Sequence, residues 1–439
     1  MKLSRYNFIK SINGEKVLFN ANTCVLAVVN DDFLKVLDEI ESNTFEKEHH
    51  DSKLISDMVR AGCIIEDNEF DVIKIKHNMH KYQNSTLALT ILPTMECNFR
   101  CKYCFEEHVK GHMTKSVQDG IVQFIKKRIN TISSLQIMWF GGEPMLYKNI
   151  IYGLSERIMD MCDENQVKYS AGMVSNGSLF EKDDILKMNR YRINRVQFTI
   201  DGVPSVHNTR RVNVNGGDSF QKIIEVTNSL LASNVSVNIR INLDKENMNN
   251  IGLLFKLLKE QIFYYDKVSI TFGKITPYTD VCKHVESHCY NSEEFDVECL
   301  KLYKELLRLG FYKCRQAMYP KRKYNNCGAD LVNSFVVDMN GYLYKCWNQV
   351  GKKEEICGDV YNDVNLYSNN YLGWVTWSPI EDEICQKCKF LPICMGGCPQ
   401  NNGNVYWSHR GGNRGHSCVS MDKRMERIIE YYYELLRKK

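Results

Sequence analysis

No stretch of this 439-residue sequence is apolar for long enough to cross a bilayer. Its opening run, "MKLSRYNFIKSINGEKVLFN", lacks the unbroken apolar core and small-residue cleavage site of a signal peptide. Charge imbalance is missing as well. The 57 Lys and Arg against 53 Asp and Glu leave a formal +4, too little at this length to make nucleic acid or a membrane the main partner. These absences predict a cytoplasmic protein with no nucleic-acid and no membrane partner. The 44% hydrophobic and 25% charged shares are those of an ordinary globular chain, long enough for about three domains.

Cysteine is what the sequence has in excess. Eighteen cysteines in a reducing compartment do not read as a disulfide framework, and half of them lie from Cys314 onward. Clustered thiols in that setting point to metal or redox chemistry.

Three segments differ in pattern. Residues 1–82 open with a β-hairpin turning at Asn13-Gly14, followed by helical spacing in "DDFLKVLDEI" and "KLISDMVRAG"; this predicts a small winged-helix-like module. The polar stretch His77–Ser85 reads as a linker. Residues 83–310 alternate strands and helices, with strands expected at Leu87–Leu92, Leu135–Phe140, Tyr169–Val174, Val196–Ile200, Val235–Ile241 and Val268–Phe272. Six βα units predict a parallel sheet and an α/β fold, a partial (β/α)6 barrel of TIM type, with Gly310 capping the last helix. Residues 311–439 hold short strands, glycines and cysteine pairs, ended by the helix "DKRMERIIEYYYELLRKK"; metal clusters are expected to supply cohesion there.

The first chemical motif is "CNFRCKYCFE", where Cys97, Cys101 and Cys104 follow the first barrel strand. A structural zinc site wants four protein ligands, whereas an iron–sulfur cluster with one iron left open wants three thiolates. A partial zinc site or free thiols is the alternative. The loop sits at the carboxyl end of a strand, where such folds hold their chemistry. A second motif, "WFGGEP", follows the second strand: Gly141 and Gly142 permit close backbone approach, Glu143 can accept from an ammonium, and Pro144 ends the turn.

Together these motifs resemble the radical S-adenosylmethionine (radical SAM) superfamily. The resemblance implies that Cys97, Cys101 and Cys104 hold a [4Fe–4S] cluster whose open iron binds SAM and reductively cleaves it to a 5′-deoxyadenosyl radical. It implies SAM contacts at the Gly141–Pro144 turn, and candidate ribose and carboxylate contacts at Ser175, Asn176, Asp201 and Arg240. His207, Arg210 and Arg211 are candidate substrate contacts, set against a reading as surface residues of a loop.

The last segment resembles the SPASM extension of radical SAM peptide-modifying enzymes, which holds two auxiliary [4Fe–4S] clusters, three clusters in all. By that likeness Cys385, Cys388, Cys394 and Cys418 bind the outer cluster, and Cys327, Cys346 and Cys398 the inner one. The inner cluster's fourth ligand stays open between Cys314, an unfilled iron and a substrate thiolate. A zinc ribbon is the alternative for Cys385–Cys398.

The resemblance implies a maturase acting on a ribosomally made precursor peptide, with the N-terminal module binding the leader as an added strand and a ferredoxin or flavodoxin as electron donor. Sulfatase-maturing relatives typically place an aspartate after the Gly-x4-Cys motif; here Trp347 follows Cys346, and tryptophan cannot act as base. Thioether cross-linking of cysteine-rich peptides, of the sactipeptide or ranthipeptide type, is therefore the expected reaction. Formylglycine formation in a sulfatase, a C–C cross-link, or a non-catalytic iron–sulfur or zinc protein are its rivals.

Overall fold

The computed structural model describes residues 1–437 apart from residue 67, residues 278–279 and residues 400–420. The chain divides into two compact units. One comprises Met1–Tyr82, Met318–Leu331 and Gly373–Lys439, the other Gln83–Ala317 and Val332–Leu372.

The first unit begins with strands β1 (Lys2–Leu3), β2 (Asn7–Ile12), β3 (Glu15–Asn20) and β4 (Val25–Val29), then helices α1 (Asp31–Glu41) and α2 (Ser52–Arg60), strand β5 (Ile64–Ile65) and helix α3 (Glu69–Lys81). β2 and β3 meet at Asn13 (φ 50°) and Gly14 (φ 82°), the two positive φ angles that a tight two-residue hairpin needs. β3 is the centre of the antiparallel order β2-β3-β4, so β2 and β4 are edges. Asn30 and Asp51 cap α1 and α2 by accepting from Phe33 N and Lys53 N. The apolar faces these helices bury, with Val36, Leu37, Ile55 and Met58, close over Leu18 of β3. Each such side chain contributes roughly 2 kcal/mol.

His77–Ser85 is not simply a linker. α3 continues to Lys81, and His77 and Lys81 are fully buried. His77 Nδ1 lies 2.6 Å from the Tyr324 carbonyl and Nε2 3.1 Å from Ser378 Oγ. The polar residues that resembled a linker have their partners some 250 to 300 positions away. In the same unit, the helix Met421–Arg437 buries Ile428, Ile429 and Tyr432, and its Glu430 pairs with Lys10 of β2 at 2.7 Å.

The second unit carries β6 (Thr86–Ile91), β7 (Phe99–Cys101), α4 (Lys115–Lys126), β8 (Ser134–Trp139), α5 (Lys148–Glu164), β9 (Lys168–Val174), α6 (Lys182–Arg190) and β10 (Ile193–Thr199). It continues with α7 (Pro204–Arg210), β11 (Arg211–Asn213), α8 (Ser219–Ala232), β12 (Ser236–Leu243), α9 (Ile251–Gln261), β13 (Ser269–Lys274) and α10 (Ser292–Arg308). Then come β14 (Ser334–Val337), β15 (Tyr342–Tyr344), β16 (Gly358–Asp359) and β17 (Asp363–Val364). One ten-stranded sheet runs β13-β12-β10-β9-β8-β6-β14-β15-β16-β17. It is parallel from β13 through β14 and antiparallel beyond. This mixed, mostly parallel α/β sheet fits the expected partial barrel. The six strands read from the sequence are present, and β14 adds a seventh parallel member beside β6, too short and too far along the chain to have been counted among βα repeats. No helix among the described residues is long and apolar enough to cross a membrane.

Asn20 organises the first unit's loops. Fully buried, it donates to Ser4 Oγ, Asn7 Oδ1 and the Gly62 carbonyl, and accepts from Asn22 N and Thr23 N. Asn20→Ala strands these groups and is expected to lower stability by about 3 kcal/mol. Amide exchange over residues 1–82 reads this; protection unchanged from wild type would refute it.

Candidate active site

The cysteine loop leaves β6 at the carboxyl edge of the sheet. It is held from outside by a two-stranded ladder in which β7 pairs antiparallel with β11, Cys101 opposite Arg211 and Phe99 opposite Asn213. Within the loop, Phe99 N donates to Cys97 Sγ at 3.3 Å and Cys104 N to the Cys101 carbonyl at 3.1 Å. Burial pushes the Cys97 thiol up to about 12, and raises Cys101 and Cys104 as well; Cys97 and Cys104 are pushed further by neighbouring acidic groups and thiols. Unligated thiols here stay protonated, so only a cationic centre would draw them into thiolates.

The charge facing the loop comes from Arg211. Its Nη1 donates to Tyr103 Oη at 2.7 Å, Tyr103 donates to Asp201 Oδ2, and Asp201 Oδ1 accepts from Asn242 N at 2.9 Å. Burial raises the Asp201 carboxyl, and Arg211 opposes that rise. Alongside, Arg210 pairs with Asp244 at 2.6 Å. His207, Arg210 and Arg211 are thus buried, against the reading of them as surface residues of a loop. α7 turns His207 toward Asp201 N and Ser219 Oγ and Arg210 toward Asp244, while Arg211, the first residue of β11, donates to Tyr103 Oη. Tyr103 is a functional candidate absent from the sequence reading, its one signal being its place between the second and third cysteines, whereas Arg211, read there as a candidate substrate contact, faces the cysteine loop instead.

The Gly-Gly-Glu-Pro turn packs backbone to backbone on the cysteine loop. Gly142 N donates to the Thr94 carbonyl at 3.3 Å and Glu143 N to the Glu96 carbonyl at 2.8 Å. A Cβ on Gly142 would stand 2.2 Å from the Glu96 carbonyl oxygen, so no larger residue fits. The buried Glu143 carboxylate accepts from Met145 N (3.0 Å), Ser175 Oγ (2.8 Å) and Asn176 N (2.6 Å), tying the ends of β8 and β9 together. Pro144 opens the following 3-10 turn. Asn176 donates to Asn98 Oδ1 at 2.8 Å, and its amide lies 4.0 Å from Cys97 Sγ. Arg240, half-buried on β12, donates to Asn242 Oδ1 at 2.8 Å. Of the residues read as SAM contacts, Gly142, Glu143, Asn176 and Asp201 bond directly to the segment Thr94–Tyr103, Ser175 connects through Glu143, and Arg240 connects only through Asn242 and Asp201.

A cavity of about 430 Å³ opens on Cys101, Cys104, Glu106, His108 and His284. A smaller one of about 130 Å³ shares Glu106 and reaches Met95, Phe105 and Trp347. Desolvation pushes the Glu106 carboxyl up to about 7, with Glu143 adding to it. Trp347, half exposed, stacks on Phe140 with ring centroids 5.7 Å apart.

The other cysteines are described unit by unit. In the second unit Cys346 follows β15 and opens a 3-10 turn. In the first, Asp382 caps the short helix Glu383–Lys387, which carries Cys385, and accepts from Ile384 N and Cys385 N. Cys388 N donates to the Cys385 carbonyl, Phe390 N to Cys388 Sγ at 3.4 Å, and Cys394 ends the next turn. Cys327 and Cys398 belong to the same unit. Cys418 lies outside the described residues. None of the described cysteines is in a disulfide. Among the described residues no three Cys, His, Asp or Glu side chains converge on the position of a single ion. A cubane asks for a different arrangement, one thiolate at each iron corner. The Cys97–Cys104 loop, with three thiols outside any disulfide and Arg211 beside Cys101, fits that requirement.

Two outcomes test this site. Gly142→Ala must displace the cysteine loop and is expected to cut SAM cleavage about 100-fold or more while far-UV circular dichroism is kept; a wild-type rate would refute the packing argument. His207, with Nδ1 accepting from Asp201 N and Nε2 3.1 Å from Ser219 Oγ, is held neutral, burial pushing it down to about 3. Because the unfolded chain binds that proton more readily, this contribution to stability is complete above about pH 6.5 and is lost as pH falls toward 3, costing about 2 kcal/mol between pH 7 and 5. Urea midpoints should show this slope in wild type and a flatter one in His207→Gln; equal slopes would refute it.

Comparison with known proteins agrees with the geometry. The sequence profile of the Radical SAM superfamily matches residues 91–258, from the last residue of β6 into α9. The radical SAM cyclopropyl synthase TigE of Paramaledivibacter caminithermalis is 20% identical over 98% of this chain and 95% of its own. A cysteine-type anaerobic sulfatase-maturating enzyme of Clostridium novyi is 24% identical over 72% of this chain and 88% of its own. Among solved structures, anSMEcpe with bound AdoMet and Cp18Cys peptide superposes with TM-score 0.61 at 19% identity, covering 80% of this chain and 98% of that one. Streptococcus suis SuiB bound to precursor peptide SuiA gives 0.50 at 16%, covering 90% and 95%. The two solved structures share the fold with this chain. A family of this kind implies SAM and a [4Fe–4S] cluster, for which Cys97, Cys101 and Cys104 are the fitting ligands. Residues 91–258 thus match the Radical SAM superfamily, and the chain is similar along most of its length to TigE and to the anaerobic sulfatase-maturating enzymes.

Proposed function

We propose that this enzyme modifies a ribosomally made precursor peptide and forms thioether (C–S) cross-links at its cysteines. The observation that carries the reading is the wall of the cavity beside the cysteine loop. Trp347, which directly follows Cys346, lines it and stacks on Phe140, with no carboxylate at that position. Trp347 can position a peptide side chain but cannot itself deprotonate it, which leaves Glu106, lining the same cavity, as the carboxylate that could.

When bound, the cluster and SAM supply a 5′-deoxyadenosyl radical able to remove a hydrogen from carbon. The chain's residues do the rest. Cys97, Cys101 and Cys104 hold the cluster, and Arg211 balances the charge beside Cys101. Gly141 and Gly142 let backbone approach closely, Glu143 locks the loops, and Ser175, Asn176, Asp201 and Arg240 orient SAM. In residues 1–82, the edge strands β2 and β4 offer unpaired backbone to a leader segment, adding a strand and leaving the core peptide free to reach the barrel (residues 83–310). Cys385, Cys388, Cys394 and Cys418 would bind one auxiliary cluster, and Cys327, Cys346 and Cys398 another, in the C-terminal segment 311–439; a ferredoxin or flavodoxin would deliver electrons.

Likeness to TigE along nearly the whole chain favours a second reading, a carbon–carbon bond. Both reactions remove two hydrogens, but only thioether formation consumes a thiol. Anaerobically reconstituted enzyme given SAM and dithionite is expected to release 5′-deoxyadenosine, and the Cys97→Ser/Cys101→Ser/Cys104→Ser variant to fall to background. With a cysteine-rich precursor peptide, the product should lose two hydrogens and one alkylatable thiol per cross-link. Loss of hydrogens with every thiol still alkylatable would overturn the thioether reading in favour of the carbon–carbon one.

A further inference from the structure

Seven cysteines for two auxiliary cubanes leave one ligand position without a thiol. Cys314 is committed elsewhere: its buried Sγ donates to the Ile270 carbonyl at 3.8 Å. Next to Cys327 stands a different donor. Cys327 opens the 3-10 turn Gly328–Asp330, so that Asp330 follows it at the spacing by which Cys388 follows Cys385. Asp330 is only 1% exposed. Its Oδ1 accepts from Asn325 Nδ2 at 2.9 Å, and the same amide donates to the Cys327 carbonyl. Asn325 thus clamps thiol-bearing residue and carboxylate into one turn. The other oxygen, Oδ2, is buried with no hydrogen-bond partner among the described residues. A buried carboxylate oxygen left this way is strongly disfavoured unless a cation meets it.

Lys81, fully buried in the same unit, is a candidate cation, and its ammonium donates to the Trp377 carbonyl.

We propose that Asp330, through Oδ2, is a carboxylate ligand of the auxiliary iron–sulfur cluster that Cys327 and Cys398 hold. The inference rests on the auxiliary-cluster reading above. A carboxylate is a competent ligand for iron and a more labile one than thiolate, so it closes the cluster at rest and yields to a peptide thiolate. Asn325 aims it by occupying Oδ1. Lys81 offsets the negative charge that a carboxylate brings to a cluster already ringed by thiolates.

The full-length enzyme, reconstituted anaerobically as wild type, Asp330→Asn, Asp330→Cys and Lys81→Met/Asp330→Asn, tests this by iron and sulfide analysis with Mössbauer and EPR spectra. Asp330→Asn is expected to change the signature of one auxiliary cluster and to lose up to about four irons per chain. Asp330→Cys should restore the iron with an all-thiolate signature, a result that stands even where Asp330→Asn fails to fold. Wild-type spectra and iron in Asp330→Asn would overturn the assignment. So would their recovery in the double variant, which makes Asp330 only the counter-ion of Lys81. Wild type holding only about four irons would overturn the auxiliary-cluster reading itself.

Discussion

The short ladder between Phe99–Cys101 and Arg211–Asn213 is the interaction on which the rest of this site depends. The connection from β6 to α4 is long and carries three thiols that burial keeps protonated. Ordering such a loop costs conformational entropy, which the burial of Leu92, Met95, Phe99 and Met113 helps to offset. The ladder supplies the backbone partners, and Arg211 supplies the positive charge that Cys101 and Asp201 face. Tyr103 joins the two by bonding to both Arg211 and Asp201. Loop geometry and electrostatics therefore come from the same few residues.

Around that anchor the chain separates holding from shaping. Glu143 spends its carboxylate on the protein itself, bonding three donors at the ends of two strands. That makes the Gly-Gly-Glu-Pro turn a brace for the cysteine loop as well as a candidate cofactor contact. The shaping falls to side chains at the cavity rim, where Trp347 and Phe140 set a flat apolar face beside Glu106. Chemistry common to a superfamily needs the brace; choice of substrate needs the rim.

Much of this was legible in advance. The hairpin at Asn13-Gly14, six of the sheet strands and both chemical motifs are local signals, written in adjacent residues or in a fixed period. Three features were not. β14 joins the sheet beside β6 although the two lie far apart in the chain, and a four-residue apolar run carries no hint of its neighbour. The last turns of α3 read as a linker because His77 and Lys81 are polar, and their partners lie at Tyr324, Ser378 and Trp377. Arg210 and Arg211 read as surface cations because nothing nearby in sequence announces Asp244 or Asp201.

Residue identity and spacing alone determined that the chain carries three thiols after a strand, a glycine-rich turn after the next, and a second set of cysteines near its end. These are properties of short segments, decided by backbone geometry and by what sulfur and glycine can do. Only the tertiary structure decided which charges meet those thiols, which carboxylates are spent on the fold, and which one, Asp330, is buried with an oxygen unclaimed. Burial and pairing are relations between distant segments, and desolvation gives a charged group its meaning only once its surroundings are assembled.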